Sequence, residues 1–240
     1  MRRIDGRSDQ AMKTVGVLGG LGPQATMDFE TRLHDVSKSL IRPRFSGGYP
    51  PMLVYYYRHP PFVLSANFTP VLPLQPDPRL LQAAARLGEW ADFLVMTANV
   101  PHLFQDVIEQ AFGGPLLSII EVTLAEVERR GLKRVGVLGW DEPKVYVDAL
   151  ERRGLSAITL PKKERAQLNQ AIFALMEGRD GTKSQRVTRE AVDALRAQTV
   201  DGIILGCTEL PLLLRDNSNT SDLINPAQLL AEATVQYAIA

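Results

Sequence analysis

Hydrophobic positions along the chain follow two alternating periods. Short runs rich in Val, Ile and Leu are separated by longer stretches in which apolar side chains recur every three or four residues. The short runs predict strands over Thr14–Leu18, Met52–Tyr57, Phe93–Met96, Leu116–Ile120, Arg134–Leu138, Ala157–Leu160 and Gly202–Leu205. The longer stretches predict helices over Gln24–Ser39, Pro78–Trp90, Leu103–Phe112, Val122–Arg130, Pro143–Arg152, Glu164–Glu177, Thr188–Gln198 and Pro226–Tyr237. Strands alternating with helices point to an α/β chain whose parallel sheets are joined by crossover helices. Pro70, Pro73, Pro76 and Pro78 mark a stiff loop ahead of one of these helices.

The pattern repeats within the chain. Lys13-Thr-Val-Gly-Val-Leu-Gly-Gly-Leu-Gly-Pro23 recurs as Lys133-Arg-Val-Gly-Val-Leu-Gly-Trp-Asp-Glu-Pro143, with seven of eleven positions identical at a separation of 120. Asp92-Phe-Leu-Val-Met-Thr-Ala-Asn99 aligns with Asp201-Gly-Ile-Ile-Leu-Gly-Cys-Thr208 at a separation of 109. Such an echo predicts two pseudo-symmetric Rossmann-like lobes, each a mostly parallel sheet flanked by helices. Ligands of open α/β sheets bind beyond the carboxyl ends of the strands, so the site is expected in the cleft between the lobes. The expected division is a disordered tail over 1–11, an N-terminal lobe of 12–113 plus 212–240, and a C-terminal lobe of 114–211.

Composition narrows the function. Of 240 residues, 45% are hydrophobic and 22% charged, enough apolar material for a core. Lys+Arg and Asp+Glu are 27 each, which speaks against a general nucleic-acid binder. No apolar run is long enough to span a bilayer, and the first ten residues lack the apolar core of a signal peptide, so a cytoplasmic location is expected. One cysteine excludes an internal disulfide and a Cys-rich metal site, and the three histidines show no metal spacing.

Candidate chemistry gathers at the strand ends. In Gly19-Gly-Leu-Gly-Pro-Gln-Ala-Thr26, Gly20 and Gly22 let backbone N–H groups approach a ligand, and a helix N-terminus favours an anion. Read as G-x-G-x-x-A the same turn fits a dinucleotide fingerprint, but the second strand ends at Tyr57-Arg58 with no carboxylate; an Arg there leaves room for a 2′-phosphate. Cys207, in Gly206-Cys-Thr-Glu209, stands where a thiolate can form, although lone cysteines commonly just pack. The matching tip of the first half holds Ala98. Asn99 beside it reads equally as a ligand contact or a turn cap, and His102 as a proton carrier or a structural hydrogen bond.

These residues resemble the cofactor-independent aspartate/glutamate racemase family over Lys13 to Ala238. Residues 15–26 resemble the family's opening Gly-Gly-Met-Gly-Pro-x-Ala-Thr, Asn99-x-x-His102 its Cys-Asn-Thr-x-His, Ser118-Ile-Ile-Glu121 its Ser-Met-Ile-Glu, and Gly206-Cys-Thr-Glu209 its second cysteine motif. The resemblance implies a homodimer without cofactor, and two thiols on opposite faces of a small amino-acid substrate, one removing and the other returning the Cα proton. It places Cys207, Thr97 and His102 in proton transfer, and Gly20, Gly22, Arg58, Ala98, Asn99, Glu121, Thr208 and Glu209 around the substrate. This chain departs from the pattern. Ala98 replaces the first cysteine, Thr97 lies one residue early, and Val100 replaces a threonine. Arg58 precedes the usual substrate-binding Arg by about four positions; Lys162, Lys163 and Arg165 compete for the second basic position; Asn225 stands where Asp is common. Three readings follow: an amino-acid racemase acting on a small acidic substrate, a one-base lyase or decarboxylase using Cys207 alone, and a non-catalytic binder of small carboxylates.

Overall fold

A computed structural model describes residues 12–41, 48–215, 218 and 220–240; the predicted tail over 1–11 lies outside them. The elements run β1 (Val15–Gly19), α1 (Pro23–Leu40), β2 (Met52–Tyr56), α2 (Pro78–Gly88), β3 (Phe93–Met96), a 3-10 turn (Val100–Phe104), α3 (Gln105–Phe112), β4 (Leu116–Leu117) and α4 (Ile119–Arg129). They continue with β5 (Arg134–Leu138), α5 (Lys144–Arg152), β6 (Ser156–Thr159), α6 (Lys162–Met176), α7 (Thr182–Arg196), β7 (Gly202–Leu205), α8 (Leu210–Leu214), β8 (Leu223–Ile224) and α9 (Pro226–Ile239). Two four-stranded sheets form, in the orders β2-β1-β3-β4 and β6-β5-β7-β8, and every pairing between these strands is parallel. The two orders are the same topology used twice. Registers agree as well: Val15 pairs with Phe93 in one sheet and Val135 with Gly202 in the other. The repeat in the sequence is therefore a repeat in space.

The sheets share one core. Val15, Val17, Phe93 and Val95 of the first sheet and Val135, Val137, Ile204 and Ile224 of the second join a single buried cluster with residues of α1, α4, α5 and α9. The outer faces carry separate clusters, one under α2 and α3 and one under α6, α7 and α8. Helix α9, which follows the last strand of the second sheet, packs on α1 of the first lobe, and its Ala238 carbonyl accepts from the Lys13 N–H at 2.9 Å. Helix α4 leaves the first sheet and packs beside α5 of the second. Each lobe thus donates a helix to the shared layer, which buries strand faces that neither lobe could cover alone. Among the described residues no helix is long and apolar enough to cross a membrane.

Several predicted boundaries move, and caps explain why. The strand expected over 116–120 stops at Leu117 because the Ser118 hydroxyl accepts from the Glu121 N–H at 3.5 Å and starts α4. Asn225 does the same for α9, accepting from the Ala227 N–H at 3.1 Å. Strands of two residues give no alternation to read. Hence β8 went unpredicted, and pairing places Leu116–Leu117 in the first sheet and Leu223–Ile224 in the second, on the other side of the expected lobe boundaries. Helix α7 begins six residues before the predicted Thr188, and the polar first turn hides that start.

Leu230 on α9 is fully buried in the shared core. Leu230→Ala is expected to cost about 2–5 kcal/mol in urea unfolding, with both lobes still melting in one transition, because the cavity lies in the layer they share.

Candidate active site

Four loop tips follow the carboxyl ends of the central parallel strands: Gly20–Gly22 after β1, Thr97–Asn99 after β3, Gly139–Trp140 after β5 and Gly206–Glu209 after β7. The tips of the two lobes touch. The Asn99 side-chain amide donates to the Gly206 carbonyl at 2.8 Å and accepts from the Tyr146 hydroxyl at 3.1 Å, all three groups being buried. Tyr146 sits on α5 with its ring against Gly206, where a Cβ would stand 3.0 Å from the ring. So Ala98, next to Asn99, and Cys207, next to Gly206, are held on facing loops.

The Gly turn is fitted closely. Gly20 has φ +84, and an added Cβ would lie 2.6 Å from the Tyr56 backbone, so no other residue fits without strain. Its N–H donates to the Thr26 hydroxyl at 2.9 Å, and the Thr26 and Thr97 hydroxyls share a hydrogen bond of 2.8 Å. Thr97 is thereby turned onto the neighbouring β1 turn, consistent with adjacent strand residues facing opposite ways. At Gly22, the N-cap of α1, an added Cβ would lie 2.0 Å from Glu209 Oε1. A carboxylate of the second lobe thus rests against the N-terminus of a helix in the first, where the helix dipole favours negative charge.

Glu209 also meets the sulfur. Cys207 Sγ donates to Glu209 Oε2 at 3.0 Å, and the buried Thr208 hydroxyl donates to the same oxygen at 3.3 Å. Burial pushes the Cys207 thiol well above its ordinary range, and the Glu209 charge pushes the same way; backbone N–H groups of Glu209 and Trp140 act in the opposite sense. Burial likewise raises the Glu209 carboxyl. The thiol accordingly holds its proton and donates it in the hydrogen bond to Glu209. Trp140 and Tyr146 were not singled out by sequence reasoning. The internal echo held a signal for Trp140, since it aligns with Gly20; its ring, 46% exposed, stands edge-on to Phe173 with centroids 5.2 Å apart.

Not every expected residue joins this group. His102 is sealed: its Nδ1 faces the Ala98 and Asn99 carbonyls at 3.0 and 3.2 Å and therefore donates, while Nε2 accepts from the Ile119 N–H at 3.3 Å. The imidazole ties the Ala98 tip to the start of α4 and has no proton to exchange with a ligand. Glu121 is corrected outright. The cap at Ser118 turns its side chain outward, 59% exposed and paired with Arg153 at 2.6 Å, so it lies outside the cleft. The Asn99 amide is spent on the lobe bridge. Arg58 stacks on Tyr56 and donates to the Gly20 carbonyl at 3.5 Å. Of the competing basic residues, Lys162 and Lys163 are exposed, and half-buried Arg165 has its Nε buried without a partner among the described residues, as has Oε2 of adjacent Glu164. Among the described residues no cluster of His, Cys, Asp or Glu could hold a metal ion.

The family model for Asp/Glu/hydantoin racemase matches residues 18–234. The chain belongs to this racemase family. The broad specificity amino-acid racemase RacX of Bacillus subtilis (strain 168) is 26% identical over 94% of this chain and 98% of its own length. Among solved structures, an aspartate racemase homologue from Pyrococcus horikoshii OT3 superposes with a TM-score of 0.72 at 24% identity, covering 95% of this chain and all of that one. The Picrophilus torridus aspartate racemase gives 0.71 at 18% identity, with 94% of each chain covered. The two-lobe architecture is thus that of the racemase fold.

Burial holds the His102 pKa down to about 4 from its ordinary 6.5. The unfolded chain takes up this proton below about pH 6.5 and the folded chain only near pH 4, so this group's contribution to stability is intact above pH 6.5 and lost as pH falls toward 4, about 3 kcal/mol in all. The stability difference between the parent and His102→Gln, followed by urea unfolding, should shrink by about that amount between pH 7 and 4. A His102 imidazole resonance, assigned by its loss in His102→Gln, that titrates near pH 6.5 in the folded protein would contradict the sealed geometry.

Proposed function

We propose that this chain is a cofactor-independent amino-acid isomerase of the racemase type, in which Cys207 works on one face of the substrate Cα and the opposite face is bordered by Ala98. The reading rests chiefly on the Asn99–Gly206 hydrogen bond, which sets the two tips on facing loops with sulfur on one alone. Similarity to a broad-specificity amino-acid racemase supports an amino acid as substrate, and the match to the Asp/Glu/hydantoin racemase family model supports one of the aspartate or glutamate class.

In this reading the Glu209 carboxylate takes the thiol proton through their 3.0 Å hydrogen bond, and the N–H groups of Trp140 and Glu209 steady the thiolate that forms. The thiolate removes the Cα proton, and backbone N–H groups at the first turn of α1 receive the charge that develops on the substrate carboxylate. Return of a proton from the Cys207 side regenerates the original configuration; inversion needs a proton from the Ala98 side, where water must supply it. The missing second sulfur favours a second reading, a one-base lyase or decarboxylase using the same thiolate.

Incubation with L-aspartate or L-glutamate in D₂O, followed by NMR and chiral chromatography, tests the assignment. Exchange at Cα with slow loss of optical purity is expected, and Cys207→Ser should abolish it. Ala98→Cys should raise the racemisation rate by about 10²-fold or more. Exchange with fully retained configuration would favour one-base chemistry. Exchange that survives Cys207→Ser would overturn the proposal, and so would a rate that Ala98→Cys leaves unchanged. Absence of exchange together with a ligand-dependent rise in Tm would mark a carboxylate binder instead.

A further inference from the structure

Strand β2 forms one edge of the first sheet, and helix α2 lies across its end. Between them is a cavity of about 200 Å³, lined among others by Tyr57, Arg58, His59, Arg79, Gln82 and Arg86. Arg79, Gln82 and Arg86 lie on one stripe of α2, three and four residues apart, and so face the strand together. Three arginines, Arg58, Arg79 and Arg86, thus line one cavity. Among the described residues one carboxylate pairs with any of them: Asp77, 6% exposed, caps α2 through the Arg79 N–H at 2.8 Å and grips the Arg79 guanidinium at 2.9 and 2.6 Å. Arg58 and Arg86 form no ion pair among the described residues.

The grip on Arg79 has a consequence for His59. Arg79 Nη1 can only donate, and it lies 3.1 Å from His59 Nδ1, so that nitrogen accepts and the ring hydrogen sits on Nε2. The ring is steadied edge-on against Tyr57, with centroids 5.6 Å apart. The chain Asp77–Arg79–His59 thus turns an imidazole into a fixed donor beside two arginines that have no carboxylate partner among the described residues, and beside Gln82. Convergent donors with excess positive charge match an oxyanion, since charge-assisted hydrogen bonds from guanidinium are strong and directional.

We propose that this cavity binds a small multiply charged oxyanion, phosphate or a dicarboxylate, at a site separate from Cys207. Titration of the intact chain with sodium phosphate and with sodium succinate, at ionic strength held constant with KCl, tests it by calorimetry and by Tm. A saturable response to at least one of the two anions is expected, and which one responds assigns the ligand class. Arg86→Gln should weaken that binding tenfold or more, and Cys207→Ser should leave it unchanged even if the racemase chemistry proves wrong. Gln82→Glu, at an exposed helix position, sets a carboxylate at the cavity wall and should give the same loss without relying on the first variant. No saturable response to either anion would overturn the proposal, as would binding indifferent to both substitutions or binding lost with Cys207.

Discussion

One buried hydrogen bond organises this molecule's cleft: the Asn99 amide on the Gly206 carbonyl. It ties the tip of one lobe to the residue just before the chain's one cysteine, and the Tyr146 hydroxyl holds the amide in place from behind. Each of these groups lies out of water, so loss of any one leaves another unsatisfied, at about 1–3 kcal/mol. The helix layer beneath gives the bond its rigidity. Helices α4 and α9 cross between lobes, so the two sheets cannot shift relative to each other without opening the core they share.

Within that frame the two lobes have diverged at their tips. The first lobe presents Ala98 with a hydroxyl pair, Thr26 and Thr97, folded back onto the Gly turn. The second presents Cys207 with Glu209, a carboxylate that reaches both the sulfur and the N-terminus of α1. Glu209 is the side chain that links the sulfur of one lobe to the helix N-terminus of the other.

Much of this was legible in the residues. The echo between Lys13–Pro23 and Lys133–Pro143 foretold two lobes of like topology, and the facing tips followed from aligning Ala98 with Cys207. Less legible was what depends on side-chain direction. Ser118-Ile-Ile-Glu121 reads as a motif, yet the same Ser118 hydroxyl that caps α4 turns Glu121 to solvent. His102 has the spacing of a proton carrier, but two carbonyls and a backbone N–H consume its ring. Tyr146 offered no local signal because its role depends on the loop of the other lobe, and the two-residue strands β4 and β8 are set by pairing partners distant in sequence.

A crystal structure of the complex with L-aspartate tests the arrangement most directly. The substrate Cα is expected on the sulfur side of the cleft, about 4 Å or less from Cys207 Sγ, with only the Ala98 methyl and solvent on its other face. A ligand seated away from Cys207, or the Thr97 hydroxyl swung round to the Cα opposite the sulfur, would contradict a one-sulfur site.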